Sequence, residues 1–204
     1  MKALKAYLCF LIVFHVSGQV GDSKGVPVNL EKLYEQVQSG DSYAQAVLGI
    51  YLRSGELGLK VDMELARKWS LHAINSDEPL GYYNLANINM LAGNYGKATQ
   101  HYNTAQPGLF ALSSKGDSVA KYALGEILFQ VIPADVPRAI ELFKESANLG
   151  FPLAQATLGA LYLKGLPGIL EKDQKHGVSL LTNAVKRKSL TGRFNLGMAY
   201  YNGD

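Results

Sequence analysis

Apolar and small residues recur along the chain with the spacing of one face of an α-helix. A leucine followed by Gly or Ala marks each recurrence, and Ala or Gly lies four positions before every one of these leucines. The reference leucines are Leu48, Leu85, Leu124, Leu158 and Leu196. Positions three, four and seven residues apart share one side of a helix. The pattern therefore predicts five copies of a first helix with a narrow buried stripe.

A second helix is predicted after each of the first four copies. Each begins at an Asp or Asn, a preferred N-cap, with Ala or Gly four residues later. These caps are Asp62, Asn94, Asp135 and Asp173. From cap to next reference leucine the chain advances 23 residues in three copies and 30 in the copy beginning at Asn94. Its extra residues include Gln106-Pro107-Gly108, where we expect a break or an extension of the helix.

The segments 40–49 and 116–125 share the frame Gly-Asp-Ser-x-Ala-x-x-x-Leu-Gly. A chain that repeats itself at intervals of this length folds as stacked units, each burying its apolar face against its neighbours. No alternation of apolar and polar residues at strand spacing competes with the helical period. We therefore expect an all-α solenoid of stacked antiparallel helix pairs.

The residues of the first copy resemble a known motif. They are Ala44, Leu48, Gly49, Tyr51, Gly55, Asp62, Ala66, Trp69 and Ala73. The pattern is similar to the Sel-1-like repeat, a relative of the tetratricopeptide repeat, and covers the chain from about Gly40 to Asp204. Repeats would begin near 40, 77, 116, 150 and 188. The second departs from the motif, with Ala86 in place of Gly and Asn94 in place of Asp.

The resemblance implies a right-handed superhelix whose surface binds other proteins. Exported bacterial relatives resemble factors for host interaction or envelope assembly, and lumenal eukaryotic relatives resemble scaffolds in protein quality control. The motif residues themselves are packing residues. They indicate the fold strongly and the partner not at all.

The N-terminus is typical of a secretory signal peptide over residues 1–18: two lysines, an apolar run and a small-residue exit. An apolar N-terminal helix is the alternative. We expect a flexible lead-in at 19–27 and an N-terminal capping helix at 28–39, begun by Asn29. The run is too short for a stable membrane anchor. Cys9, the sole cysteine of the sequence, lies within it, so the mature chain has neither disulfide nor thiol chemistry.

At the other end, the fifth copy stops at Asp204, where its second helix would follow. We expect from this that the chain is part of a longer array. A lone C-terminal capping helix is the alternative, although Phe194, Met198 and Tyr201 would make a poor polar cap.

Net charge, the absence of a glycosylation site and the spacing of the histidines bear on the class of function and on the compartment of the protein. Removing Lys2 and Lys5 with the signal peptide lowers the formal charge from +3 to +1, which weakens a nucleic-acid interpretation. The chain has no Asn-x-Ser/Thr site, which favours a periplasmic or secreted bacterial protein over a lumenal or extracellular eukaryotic one. His72, His101 and His176 lie in separate copies, without metal-ligand spacing.

No nucleophile or phosphate-binding motif is recognisable, so we expect neither an enzyme nor a cofactor. The basic cluster at 186–188 is best explained by a helix C-terminus, with an anion or lipid site as the alternative. We therefore expect an exported, non-enzymatic scaffold that binds a partner protein; the alternative is a regulatory or inhibitory module of an envelope or lumenal enzyme.

A candidate binding groove lies on the first helices, two positions before and two and five positions after the reference leucines. Its residues are Tyr83, Asn87, Met90, Tyr122, Glu126 and Phe129, with Phe194, Met198 and Tyr201 at the same positions of the fifth copy. Aromatic residues and Met on such a face would suit a peptide or a partner helix. The alternative is that these residues form the core between repeats.

Overall fold

A computed structural model describes residues 29–130 and 134–203. The predicted signal peptide and lead-in lie outside the described residues. Within these ranges the chain forms ten α-helices and one short 3-10 turn. The helices are α1 (Leu30–Gln38), α2 (Ser42–Ser54), α3 (Met63–Ile74), α4 (Pro79–Leu91), α5 (Tyr95–Ser114), α6 (Ser118–Gln130), α7 (Val136–Asn148), α8 (Pro152–Lys164), α9 (Gln174–Lys186) and α10 (Leu190–Asn202), with the 3-10 turn at Glu56–Gly58 between α2 and α3.

The helices pack in consecutive pairs. α2 packs on α3, α4 on α5, α6 on α7 and α8 on α9, and each pair joins the next through its second helix. α1 packs on α2 ahead of the first pair, and α10 packs on α8 and α9 after the last. The predicted all-α solenoid of helix pairs is confirmed.

Glycine after the reference leucine allows the two helices of a pair to approach closely. A Cβ on Gly49 would lie 2.9 Å from the Ser70 hydroxyl oxygen of α3, and one on Gly159 would lie 2.8 Å from Leu181 Cγ of α9. Such distances leave no room for a methyl group. At Gly197 of α10, by contrast, no described atom lies within 4 Å of the equivalent position. The repeated glycine is thus a packing residue in the pairs α2–α3 and α8–α9, whereas Gly197 of α10 packs against no described residue.

Aspartate caps three of the four predicted second helices. The carboxylates of Asp62, Asp135 and Asp173 accept the backbone N–H three residues on, at 2.9, 3.1 and 2.9 Å. Asn94 differs: its side chain makes no capping hydrogen bond with the described part of the chain, and it follows a tight turn through Gly93. The side chain therefore contributes no capping contact at the start of α5.

The extra residues of the second unit extend α5 without breaking it. α5 runs for 20 residues and contains Pro107. Gly108 follows, and a Cβ there would lie 2.8 Å from Pro79 Cβ at the start of α4. The close packing of Gly108 against Pro79 keeps the extended part of α5 in contact with α4, the first helix of the same unit. Phe110 lies in the additional turns, which the shorter second helices of the other units lack.

Candidate protein-binding surface

The predicted groove residues lie where successive first helices meet. Tyr83 and Tyr122 are 0% and 4% exposed, and Asn87 is buried. Met90, Glu126 and Phe129 are partly exposed. The structure thus differs from the expectation of an open aromatic stripe at Tyr83 and Tyr122, because each of these rings is covered by the next unit. Whether these six residues bind a partner stays a prediction.

A hydrogen-bonded network explains this burial. Tyr83 on α4 and Tyr122 on α6 both donate their hydroxyls to the Glu126 carboxylate, Tyr122 at 2.7 Å. The Tyr122 ring also packs at a centroid distance of 5.2 Å against Phe151 at the start of the next unit. The Glu126 carboxylate therefore joins two successive units, and the Tyr122 ring extends the contact to a third.

Arg53 on α2 completes the network from the first unit. Its guanidinium carbon lies 6.0 Å from the centre of the Tyr83 ring, and its Nε donates to Asn84 Oδ1 at 2.6 Å. Desolvation and the negative charge of Glu126 hold the pKa of Tyr83 and Tyr122 well above the usual value. Both phenols therefore stay protonated at neutral pH, which suits hydrogen-bond donation and not acid–base catalysis.

The same face is open on α10. Phe194, Met198 and Tyr201 are 67%, 43% and 86% exposed. They occupy the positions that Tyr122, Glu126 and Phe129 hold on α6. The contrast indicates that this helix face is a contact surface between successive first helices.

A second surface lies outside the predicted residues, in a groove between α5, α6 and α7. It encloses a cavity of about 610 Å³. We call it the α5 groove; its lining residues are Gln106, Pro107, Phe110, Ser113, Ser114, Lys121, Leu124, Leu128 and Arg138. Phe110, Leu124 and Leu128 give it an apolar floor, and Phe110 is largely exposed. A cavity of this size with an apolar floor suits the side chains of a bound peptide.

Cationic side chains form one edge of the α5 groove. Lys121 pairs with the Glu145 carboxylate, and Arg138 Nη1 lies 3.9 Å from Glu145 Oε1. One carboxylate thus faces two cations, so this edge carries net positive charge. Arg138 is 54% exposed at its side chain, and an exposed ion pair at this distance contributes little. Its guanidinium donors therefore remain accessible to a bound acid.

Sequence reasoning missed the α5 groove, although a signal for it was present. The advance of 30 residues from Asn94 to Leu124, in place of 23, marks the additional turns that carry Phe110. That spacing predicted a change in α5 but not the cavity, because the apolar floor comes from α6 as well.

The described ranges contain neither a cluster of metal-ligand side chains nor a membrane-spanning helix. Among those residues, no group of three or more His, Cys, Asp or Glu side chains is placed to hold a metal ion. No helix within 29–130 and 134–203 is long and apolar enough to span a bilayer. His72, His101 and His176 each lie beside an aromatic ring, of Trp69, Tyr82 and Tyr162 respectively.

Together, the paired helices, the packed glycines and the unit-to-unit contacts define a helical repeat protein. The Sel1 repeat family model matches residues 42–76, 118–151, 152–189 and 191–204, more than half of the chain. The chain therefore belongs to the Sel1 repeat family. The unmatched stretch between 76 and 118 holds α4 and α5, the unit that departs from the motif and carries Phe110.

Three solved structures with similar folds come from bacteria. A protective antigen present in uropathogenic Escherichia coli strains, with an SLR fold, is 26% identical, with a TM-score of 0.50 over 84% of this chain and 36% of its own. The present chain thus spans about a third of that protein. A Sel1 repeat protein from Oxalobacter formigenes is 22% identical, with a TM-score of 0.45, covering 85% of this chain and 69% of that one.

A Sel1 repeat protein from Klebsiella pneumoniae subsp. pneumoniae is 18% identical, with a TM-score of 0.41, over 82% of this chain and 97% of that one. No curated protein matches the chain.

Proposed function

We propose that this protein is an exported, non-enzymatic scaffold that holds a partner protein in the α5 groove. Sel1 repeat proteins are generally protein-interaction scaffolds. The observation that carries the proposal is the open, apolar-floored cavity of about 610 Å³ beside Phe110. Five of its nine lining residues, including Phe110, lie in the stretch that the family model leaves unmatched, and the other four lie in the matched repeat 118–151.

The chemistry of the groove defines the segment that it accepts. An apolar side chain of the partner packs against Phe110, Leu124 and Leu128, and an adjacent Asp or Glu reaches Arg138. The apolar contact supplies most of the affinity, since aromatic anchors dominate such interfaces. The charge at the edge orients the segment and favours acidic partners over basic ones.

Export rests on the signal-peptide pattern of residues 1–18, which lie outside the described residues. On this pattern, the partner is met in the periplasm or outside the cell.

Site-specific photo-crosslinking tests the proposal. A photoreactive residue replaces Phe110 in one variant and Tyr95 in the other. These two aromatic residues of α5 are 63% and 64% exposed, so they form a matched pair. We expect a discrete protein adduct from position 110 and none from position 95.

The charged edge provides the second arm of this experiment. Replacing Arg138 with Glu should abolish the adduct at position 110, because the partner's acid then meets a like charge. Equal capture at the two positions, or an adduct unaffected by Arg138→Glu, would argue against the α5 groove as the binding site.

A further inference from the structure

The first unit and α10 touch directly, although they are far apart in the sequence. Glu56, in the loop between α2 and α3, accepts a hydrogen bond from the Ser189 hydroxyl at 3.0 Å, across 133 residues. The Gly58 N–H donates to the Lys188 carbonyl at 3.1 Å. We call this contact the clasp; it consists of residues 55–58 on one side and residues 188–191 on the other.

The clasp is tightly packed. Glu56 is 0% exposed, although it carries a carboxyl group. A Cβ on Gly55 would lie 2.7 Å from Leu190 Cδ2, so the loop backbone lies directly against α10. Ser189 also caps α10 by accepting the Gly192 N–H at 2.9 Å. The same hydroxyl therefore starts α10 and binds the first unit.

Both sides of the clasp adopt a backbone conformation that side chains disfavour. Leu57 has φ 55° and Lys188 has φ 60°, in the left-handed region. Lys188 lies in the turn after α9, and Asp77 in the corresponding turn after α3 has φ 53° without any part in the clasp. The conformation of Lys188 therefore belongs to the turn between helix pairs, and that of Leu57 belongs to the loop that carries Glu56.

Several groups face the buried carboxyl of Glu56. Its Oε1 accepts a hydrogen bond from the Ser189 hydroxyl, and its Oε2 is enclosed in the protein. Arg53 and the phenol of Tyr51 face it from α2, and Thr191 faces it from α10. The Lys188 side chain lies along Gly58, 3.5 Å from its Cβ position, and Arg187 acts on Tyr51.

Desolvation raises the pKa of Glu56 to about 7, although hydrogen bonds from Ser189 and Thr191 and the charge of Arg53 oppose the shift. A glutamate released into water has its usual value of 4.5. The closed clasp therefore binds a proton more tightly than an open one. The contribution of protonated Glu56 to the stability of the closed clasp is complete below pH 4.5 and is lost as the pH rises through about 7.

We propose that the clasp is a proton-operated joint that ties the first unit to α10 when Glu56 is neutral and releases it when Glu56 ionises. Release frees the loop of the first unit from the start of α10, while α10 stays packed on α8 and α9. The first unit stays tied to later units through the Tyr43 hydroxyl on Asp117 and the ring contact of Tyr51 with Phe151. The clasp is thus closed at acid pH and open at alkaline pH, with the same helices in both forms.

A distance measurement between the two sides tests this proposal. In the full chain with Cys9→Ser, spin labels replace Val61 and Phe194, two exposed apolar residues whose loss removes no charge. We expect one short, narrow distance at about pH 5.5 and a longer, broader distribution at about pH 8.5, because Glu56 ionises between these values.

Two variants separate the clasp from other titrating groups. Glu56→Gln, which cannot ionise, should keep the short distance between the labels at both pH values. Glu64→Gln, at an exposed position of α3, should show the same change in distance with pH as the parent. A parent distance that does not change with pH, or an equal pH response in Glu56→Gln, would overturn the proposal.

Ser189→Ala provides a further readout, which decides the matter if Glu56→Gln does not fold. Its loss removes a hydrogen bond that holds the closed clasp, so the midpoint of opening should move to lower pH. A midpoint that stays in place or rises contradicts the proposed role of the contact between Ser189 and Glu56. Far-ultraviolet circular dichroism at both pH values shows whether each variant keeps its helices.

Discussion

Single glycines set how closely the helices of a pair can approach. Gly159 illustrates this, because its Cβ position is 2.8 Å from Leu181 Cγ and 3.0 Å from the Gly177 carbonyl oxygen. A side-chain tip can move aside, but a backbone carbonyl of α9 moves only with its helix. The identity of this residue is therefore fixed by contact and not by backbone conformation.

Substitution of this glycine by alanine should give opposite results at two equivalent positions. Gly159→Ala should lower the free energy of unfolding by about 1–3 kcal/mol, because the methyl group overpacks the contact with α9. Gly197→Ala should raise it by about 1 kcal/mol, since the site is open and alanine is the better helix former. Urea denaturation of the two variants measures both effects; a Gly159→Ala variant as stable as its parent would contradict the packing role.

Buried polar residues act at the same scale. The Glu126 carboxylate accepts hydroxyls from two different units, so one side chain fixes the relative positions of α4 and α6. The sequence showed Tyr83, Tyr122 and Glu126 at repeated positions on a helix face. It did not show that the rings are covered, because burial of that face depends on how the next unit stacks.

Helix starts show where local sequence does and does not determine an element. Asp135 caps α7 with its carboxylate, while Asn94 at the corresponding position of α5 makes no capping hydrogen bond within the described ranges. Asp41 and Asp117 cap α2 and α6 in the same way, at 2.9 and 2.7 Å, although the sequence pattern had assigned them no role.

Alanine substitution of these two caps should therefore have unequal effects. Asp135→Ala should destabilise the protein by about 1 kcal/mol, the usual cost of losing a capping side chain. Asn94→Ala should change stability by less than about half of that, because no capping bond is lost. Thermal unfolding of both variants in parallel is the measurement, and equal losses would show that Asn94 caps α5 in solution.

The element-scale predictions held where a short sequence pattern sets the outcome. Paired helices, their close packing and the caps at Asp62, Asp135 and Asp173 follow from spacing. The cap predicted at Asn94 is wrong, because its side chain makes no capping hydrogen bond within the described residues. The α5 groove did not follow, because its floor joins Phe110 on α5 to Leu124 and Leu128 on α6. Nor did the clasp, which joins residues 133 positions apart.

At the scale of the whole molecule, the clasp and the α5 groove have separate roles. The clasp controls the contact between the first unit and α10, and the groove offers a surface whose shape depends on α5, α6 and α7. The three helices are neighbours in the stack, so the groove should persist when the clasp opens. Binding at Phe110 is therefore expected to vary little between about pH 6 and 8, apart from the ionisation of the partner's own carboxyl groups.

The most direct test of the central claim is the affinity of the crosslinked partner for purified variants of this protein, measured by isothermal titration calorimetry. Phe110→Ala should weaken binding by about tenfold or more, as expected for loss of a central aromatic anchor, while Tyr95→Ala should leave the dissociation constant within about twofold. Equal dissociation constants for Phe110→Ala and the parent protein would contradict the assignment of the α5 groove as the partner-binding site.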